Sequence, residues 1–187
     1  MTRDMTTLTS TPITAEELAR LSMPDKSVEL VRGQLMVREP PGTRHGDIAG
    51  RLYLRVANFV EAHRLGVAYP QDTGFLIRSN PDTVLAPDVA FVARERVHLV
   101  PSTGYAPLAP DLVAEIRSPG DGPSEVLAKV ADWYDAGTRL VWVIDPHRRR
   151  AVVYRANGSL TELDWHDSLD GEEIIPGFRL PLDVLFR

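Results

Sequence analysis

Two carboxylates, Asp88 and Glu115, stand in short apolar segments that have the composition of buried strands. Asp88 follows Pro87 and opens the apolar run at residues 89–92, and Glu115 interrupts the run at residues 112–116. Charged groups are seldom buried without a partner or a metal ion. Magnesium binds oxygen ligands, commonly one or two carboxylates together with water and substrate phosphate. The two segments therefore favour a site in which both carboxylates share one divalent cation.

Each of these carboxylates also has an ordinary interpretation that involves no chemistry. Pro87 lacks an N–H and belongs at a strand entrance, so Asp88 beside it fits a turn or cap aspartate. Glu115 fits a strand-end glutamate that pairs with Arg117, two residues later. Taken alone, Asp88 favours the turn or cap interpretation, whereas for Glu115 the sequence leaves both interpretations open.

Lys129 is the candidate basic side chain of the site. It lies on a predicted helix beside an apolar stripe, so its stem can pack while its ammonium reaches a strand end. The predicted stripe consists of Val126, Leu127, Val130 and Tyr134, with Lys129 and Trp133 at its margin. The alternative for Lys129 is a surface ion pair with Glu125, four residues earlier. Trp133 and Trp142 are expected in the core.

His45 and Glu29 complete the candidate set. His45 lies at the start of a long predicted helix, where a histidine can bind phosphate or transfer protons. A solvated residue at a helix start would give the same pattern. Glu29 alternates with apolar residues in a predicted hairpin and, taken alone, fits the polar face of that strand.

Composition limits the classes of protein and site. The chain has 187 residues and no cysteine, so disulfides are excluded and a metal would need oxygen or imidazole ligands. The net charge of −5 argues against a protein that coats nucleic acid non-specifically, although a local basic groove stays possible. Residues 1–12 predict a disordered lead-in rather than a signal peptide, and no segment has the length of a membrane span. We expect one domain over residues 13–187, located in the cytoplasm.

The predicted elements describe an α/β fold with a mixed sheet. Helical spacing and end signals predict helices at residues 14–21, 43–65 and 124–135. Apolar runs and alternation predict strands at residues 27–32, 34–38, 67–69, 75–77, 83–85, 89–92, 112–116, 140–144, 151–155, 160–163 and 173–175. The helix at 124–135 is a candidate crossover between two parallel strands. Hairpins about Gly33 and about a two-residue Asn157-Gly158 turn add antiparallel strands.

Taken together, these residues resemble the Uma-type family of putative restriction endonucleases, a former domain of unknown function in the PD-(D/E)xK nuclease superfamily. The likeness extends from about Glu16 to Leu185. It is carried by residues 28–33, His45, residues 86–92, residues 110–119, Lys129, Tyr134, Gly137 and residues 141–146. The Glu-x-x-Ser-Pro segment with the downstream lysine, tyrosine and glycine is fairly specific, whereas the Pro-Asp pair alone is not.

The resemblance implies a restriction-endonuclease-like fold, with a mixed β-sheet flanked by helices and added β-hairpins. It implies that Asp88 and Glu115 bind Mg²⁺, for which Mn²⁺ can substitute, with Glu29 and His45 lining the same site. By the same resemblance, Glu29 completes the outer shell of the metal, and His45 holds a phosphate or the leaving group.

Two residues are candidates for the role of the lysine that the superfamily has in its active site. The superfamily places its lysine two residues after the glutamate, where this chain has Arg117. Arginine stays protonated and cannot act as a base, although it can hold a phosphate oxygen. The family supplies a lysine from the next helix instead, here Lys129, which would orient or deprotonate the attacking water or stabilise the developing charge.

The implied function is metal-dependent hydrolysis of nucleic-acid phosphodiester bonds, with DNA favoured over RNA and a homodimer as the assembly. The alternative, from a different class, is a metal-binding or partner-binding module on the same fold with weak or no nuclease activity. A glycosidase with two acids flanking a sugar cleft is a third and less suitable interpretation, because it does not call for a nearby lysine and histidine.

Overall fold

The structure, a computed structural model, describes residues 6–7 and 11–187. Its helices are α1 (Ala15–Arg20), α2 (Thr43–Ala62), α3 (Pro123–Asp135) and α4 (Leu182–Leu185), with a 3₁₀-helix at Arg94–Leu99. Its strands are β1 (Thr6–Thr7), β2 (Ser27–Val31), β3 (Gln34–Arg38), β4 (Gly66–Pro70), β5 (Phe75–Arg78), β6 (Thr83–Leu85), β7 (Val89–Ala93), β8 (Leu112–Ile116), β9 (Leu140–Asp145), β10 (Arg150–Arg155), β11 (Leu160–Leu163), β12 (Ser168–Asp170) and β13 (Arg179–Pro181).

The larger sheet has the strand order β11-β10-β9-β8-β7-β4. β8 and β9 run parallel and α3 connects them, whereas the other neighbouring strands pair antiparallel. A parallel pair needs such a crossover because the chain must return to the same end of the sheet. The predicted mixed sheet and its helical crossover are therefore confirmed.

Opposite faces of the larger sheet pack against α2 and α3. On β8, Leu112 and Ala114 belong to a core cluster with α2, whereas Val113 belongs to a cluster with Trp133 of α3. Successive side chains of a strand point to opposite faces of the sheet. Glu115, two residues after Val113, therefore faces α3.

The two long helices differ in how well their patterns predicted burial. α2 buries the expected stripe, which consists of Ile48, Leu52, Val56 and Val60. On α3 the predicted stripe is wrong at Leu127, which is 53% exposed, while Trp133 is fully buried. Burying the larger indole removes more apolar surface from water. The buried face of α3 is therefore rotated relative to the predicted stripe, and Lys129 points inward.

In the part of the chain that the structure describes, no helix is both long and apolar enough to cross a bilayer.

The smaller sheet has the order β1-β3-β2-β6-β5 and carries Glu29 on β2. The predicted hairpin about Gly33 is present, and both Arg32 and Gly33 have positive φ, as a two-residue hairpin turn requires. A Cβ atom on Gly33 would lie 2.6 Å from Cβ of Pro12, which leaves room only for glycine. α1 begins with the predicted capping box at Thr14 and packs on this sheet.

The N-terminal segment was predicted to be disordered over residues 1–12. Thr6–Thr7 form a short strand that pairs with Val37 and Met36 of β3. The prediction for residues 1–5 and 8–10 lies outside the described residues.

Two predictions for the C-terminal part are wrong. The strand predicted at residues 173–175 is a turn between β12 and β13, in which buried isoleucines donate backbone hydrogen bonds to Gly171. The apolar pair there reflects burial of a turn rather than a strand. The hairpin predicted from residues 151–155 and 160–163 is present, but its turn is longer than the predicted two residues, because the N–H of Arg155 bonds to the carbonyl of Ser159.

Candidate active site

A cleft lies where α3, the β2–β3 hairpin and the ends of β7 and β8 meet. It is lined by all of the side chains that the sequence singled out, namely Glu29, His45, Asp88, Glu115, Arg117 and Lys129.

Asp88 and Glu115 lie opposite each other on neighbouring strands. β7 and β8 pair antiparallel with Val89 opposite Ala114, and continuing this register by one residue places Asp88 opposite Glu115. Directly opposite side chains lie on the same face of a sheet, which here is the face that carries α3. The N–H of Ile116 donates to Oδ2 of Asp88 at 2.6 Å and fixes that carboxylate. Both carboxylates therefore reach the cleft from the sheet.

Lys129 lies between two carboxylates. Its Nζ is 3.0 Å from Oε1 of Glu29 and 3.0 Å from Oε2 of Glu115. Glu29 is held in turn by the backbone N–H of Ala86, at 2.9 Å from the same Oε1. The side chain of Lys129 is 19% exposed, so its charge is largely shielded from water. One ammonium thus joins α3 to both sheets.

Burial and charge shift the pKa of both partners in this cluster. Burial raises the pKa of Glu115 to about 7; Lys129 opposes that rise, while Asp88 and Glu29 add to it. Burial lowers the pKa of Lys129, but attraction to Glu115 and Glu29 outweighs burial and raises it above the ordinary value. Lys129 is therefore protonated at neutral pH. Such a group stabilises negative charge and does not act as a general base.

His45 contacts Asp88 from the first turn of α2. Its Nε2 lies 3.3 Å from Oδ2 of Asp88. Burial lowers the pKa of His45, but the hydrogen bond and the charge of Asp88 outweigh burial and raise it. The other ring nitrogen, Nδ1, is buried and has no hydrogen-bond partner among the described residues. His45 therefore becomes cationic more readily than a free histidine.

Arg117 lines the wall of the cleft and is held by groups other than the two site carboxylates. Its side chain lies 3.3 Å from Oδ2 of Asp145 and donates to the carbonyl oxygen of Asp121 at 2.7 Å. Among the described residues it forms no ion pair with Glu115, so the ordinary interpretation of a Glu115–Arg117 pair is wrong.

Comparison with known proteins identifies the family. The Uma2 family model, described as "Putative restriction endonuclease", matches residues 15–183. The chain belongs to the Uma2 family. The solved structure of a "putative nuclease belonging to DUF820" from Anabaena variabilis ATCC 29413 is similar over 94% of this chain and 98% of its own, with a TM-score of 0.77 and 22% identity. No match was found among curated proteins.

These comparisons confirm two predictions for this Uma2 protein. The family match confirms the resemblance that the motifs carried. The structural likeness covers nearly the whole chain and confirms the restriction-endonuclease-like arrangement of a mixed sheet between helices.

The donor chemistry of the Uma2 cleft fits the divalent cation that the sequence predicts. Each oxygen of Glu115 has one N–H contact, and Oδ1 of Asp88 accepts no hydrogen bond from the described residues. Because a carboxylate has about four lone-pair sites, both groups keep acceptor capacity. Over residues 6–7 and 11–187, no three His, Asp or Glu side chains form a ready metal-binding cluster. Two carboxylates suit Mg²⁺, which commonly keeps several waters and binds substrate phosphate.

Sequence reasoning missed groups that hold this site together. Trp133 donates from its indole Nε1 to Oε1 of Glu115 at 2.8 Å, and its position one turn after Lys129 was the available signal. Arg38 of β3 pairs with Glu125 of α3 at 2.7 Å, which replaces the predicted Lys129–Glu125 surface pair. No local pattern predicts the Arg38–Glu125 contact, because it joins distant parts of the chain.

Proposed function

We propose that this protein is a metal-dependent endonuclease that hydrolyses phosphodiester bonds of nucleic acid, with DNA as the preferred substrate and Mg²⁺ or Mn²⁺ as the ion. Membership of the Uma2 family supports a nuclease. The observation that carries the proposal is the pair of facing carboxylates, Asp88 and Glu115, with the ammonium of Lys129 3.0 Å from Glu115. Oxygen ligands beside a fixed cation suit binding of a divalent ion and a phosphate.

The charge of the cleft lining supports metal dependence. The carboxylates that line it are Glu29, Glu39, Asp72, Asp88, Glu115, Asp121 and Glu125. The lysine and arginine side chains that line it are Arg38, Arg117 and Lys129. Carboxylates therefore outnumber these cations, and the lining repels a polyanion. A bound divalent cation is the largest local charge in such a site and reverses its sign.

The residues have separable roles in this proposal. Asp88 and Glu115 would hold the ion, which when bound neutralises charge on the phosphate and lowers the pKa of a water. Lys129, which is protonated, orients the water and stabilises the charge on the phosphoryl oxygens as a new P–O bond forms and the ester P–O bond breaks. His45 holds the phosphate and protonates the leaving oxygen, while the attacking water gives its proton to solvent, because Lys129 is already protonated.

Two further side chains support that chemistry. Glu29 keeps Lys129 charged and in place, through the 3.0 Å contact between them. Arg117 steadies a non-bridging phosphate oxygen from the cleft wall, where Asp145 and Asp121 fix its guanidinium.

The test is cleavage of plasmid, single-stranded DNA and RNA by purified protein, with Mg²⁺, with Mn²⁺ and with a chelator. We expect metal-dependent cleavage, fastest on DNA, and losses of at least about 100-fold in Asp88→Asn and Glu115→Gln. Glu173→Gln, on a side chain that is 80% exposed, is the control and should match the wild type. Activity that survives both chelation and Glu115→Gln would overturn the proposal.

A second candidate is a metal-binding or partner-binding module with weak or no nuclease activity. It is favoured by the ammonium of Lys129, which lies between Glu29 and Glu115 where a cation could otherwise sit, and by arginine at position 117. Calorimetry that detects Mg²⁺ or Mn²⁺ binding, together with no cleavage of any DNA or RNA form, would select this candidate.

The homodimer and the cytoplasmic location expected from the sequence are part of the proposal. The chain has no cysteine, which is compatible with a reducing compartment. Light scattering on the purified protein tests the dimer, and fractionation of cells that express the full chain tests the location.

A further inference from the structure

Trp133 connects the core of the protein to the proposed metal site. Its side chain is fully buried and packs in the cluster between α3 and the larger sheet. From that position the indole Nε1 donates a hydrogen bond of 2.8 Å to Oε1 of Glu115. A buried indole has two side-chain torsions, both fixed by packing, so the direction of this N–H is fixed as well.

Trp133 and Lys129 divide the two oxygens of Glu115 between them. They lie four residues apart on α3, so they share one face of the helix. Lys129 contacts Oε2 at 3.0 Å, and Trp133 donates to Oε1. With one donor on each oxygen, the plane of the carboxylate is set, and each oxygen keeps a lone pair. Partners of this kind orient metal ligands in proteins.

A buried indole N–H in this protein does not always have a hydrogen-bond partner, so the hydrogen bond of Trp133 is not explained by burial alone. Trp142 is also fully buried, and its Nε1 has no hydrogen-bond partner among the described residues. The core cluster on the opposite face of the larger sheet therefore accommodates an indole N–H without a partner. The pairing of Trp133 with Glu115 is a specific feature of the site.

We propose that Trp133 is a positioning residue, whose indole N–H holds Glu115 in the orientation in which this carboxylate binds a divalent cation. The inference rests on the proposed metal-dependent function. It adds that metal affinity at this site depends on a tryptophan that touches neither the ion nor the substrate.

The first test uses the indole N–H signals in nitrogen-15 NMR spectra of the full chain, which has three tryptophans. Trp133→Phe and Trp142→Phe assign the signals. Glu115→Gln should shift the Trp133 signal strongly and leave that of Trp142 in place. Added Mg²⁺ should move the Trp133 signal selectively, and Mn²⁺ should broaden it first. A Trp133 signal that ignores both Glu115→Gln and Mg²⁺ would overturn the proposal.

The second test is calorimetric titration of Mn²⁺ into the tryptophan variants. Loss of a partner that orients a metal ligand typically costs about 10- to 100-fold in metal affinity, so Trp133→Phe should raise the dissociation constant by that factor. Trp142→Phe removes the same atoms from an equally buried indole and should bind Mn²⁺ as the wild type does. Equal weakening in both variants, or in neither, would overturn the role of Trp133.

The outcomes separate this inference from the function on which it rests. Wild-type protein that binds Mn²⁺ but cleaves no nucleic acid would overturn the nuclease, while selective weakening in Trp133→Phe would still support the positioning role. Wild-type protein that cleaves nucleic acid, with unchanged metal affinity in Trp133→Phe, would overturn the positioning role alone. Wild-type protein that binds no divalent cation would overturn both.

Discussion

At the scale of single residues, the site is a balance between buried carboxylates and the largely buried ammonium of Lys129. Lys129 sits 3.0 Å from Glu29 and 3.0 Å from Glu115. A compact ammonium fits between two carboxylates in this way, whereas a planar guanidinium prefers to face one of them with two parallel hydrogen bonds. Removing one partner from a buried ion pair leaves an uncompensated charge. The stability of the protein and the chemistry of the cleft therefore depend on the same side chain.

Lys129→Met should lower the free energy of unfolding by about 3 to 5 kcal/mol at pH 8, because Glu29 and Glu115 then face each other without a cation. Urea unfolding in chelator measures the change. The control is Lys26→Met, which removes the other lysine of the chain, a more exposed partner of Glu39, and should cost at most about 1 kcal/mol. Equal losses in the two variants would contradict this account.

The raised pKa of Glu115 predicts how stability depends on pH. The folded state holds the proton up to about pH 7, whereas an ordinary glutamate loses it near 4.5. Between these values the unfolded state binds fewer protons, so the stability of the metal-free protein falls as pH rises and is level above 7. Glu115→Gln lacks this decline and should gain up to about 3 kcal/mol relative to wild type between pH 4.5 and pH 8.

Urea titrations at several pH values, in chelator, measure that difference. Glu173→Gln, an exposed glutamate, should follow the wild-type curve. If the curves of wild type and Glu115→Gln run parallel from pH 4.5 to pH 8, Glu115 is not the group responsible.

At the scale of elements, α3 holds the hairpin of the smaller sheet over the larger one. Arg38 of β3 meets Glu125 at the start of α3, and Arg32 in the turn meets Asp132 near its end, each at 2.7 Å. The carboxylate of Asp132 is 11% exposed. These two pairs fix the hairpin at both ends of its contact with the helix, and so place Glu29 beside Lys129.

A double-mutant cycle on Arg32→Met and Asp132→Asn should give a coupling energy of about 1.5 to 3 kcal/mol, because the carboxylate is largely buried. The control cycle is Arg139 with Glu173, an exposed pair at 2.9 Å, for which we expect about 0.2 to 1 kcal/mol. Unfolding by urea supplies both cycles. Similar coupling in the two would show that burial of Asp132 adds nothing.

The elements were predictable where their signal was local. The apolar spacing of α2, the capping box of α1 and the turn at Gly33 all act through neighbours a few residues away. The buried face of α3 was not predictable, because Leu127 and Trp133 compete for the core and only the sheet beneath decides between them. The strand prediction at residues 173–175 failed for a similar reason, since the burial of these residues comes from the tertiary packing of a turn.

The candidate site was predictable in its members but not in their partners. Lys129 also carried a compositional signal, because the chain has two lysines among its 21 lysine and arginine residues. The pairing of Lys129 with Glu29 depends on how two sheets meet, which no spacing within one element encodes. The ion pair between Arg117 and Asp145 depends on the parallel pairing of β8 and β9.

At the scale of the whole molecule, net charge and site charge have the same sign. The chain carries −5, and carboxylates outnumber lysine and arginine side chains along the cleft. Association with a phosphate backbone gains from cationic surfaces and is weakened by anionic ones. We therefore expect the acids of the site to oppose substrate binding when no divalent cation is present.

At pH 8, where Glu115 is ionised, the double variant Asp88→Asn with Glu115→Gln should bind a short DNA oligonucleotide more tightly than wild type in chelator, because it removes two negative charges from the cleft. It should also fail to cleave that DNA with Mg²⁺. Fluorescence polarisation at low salt measures the binding. Glu16→Gln with Glu17→Gln, on the exposed face of α1, removes the same charge elsewhere and is the control. Equal gains in both double variants would show that only net charge matters.

The order of the charged residues along the chain has a consequence for how the molecule is made. Glu29, Asp88 and Glu115 all precede α3, the helix that brings their ammonium counterion. A chain emerging from the ribosome thus presents three acids before Lys129 appears. We expect such a nascent chain to keep its acidic groups apart and hydrated. The cleft can form only after α3 has been synthesised, because residues of this helix make up one of its walls.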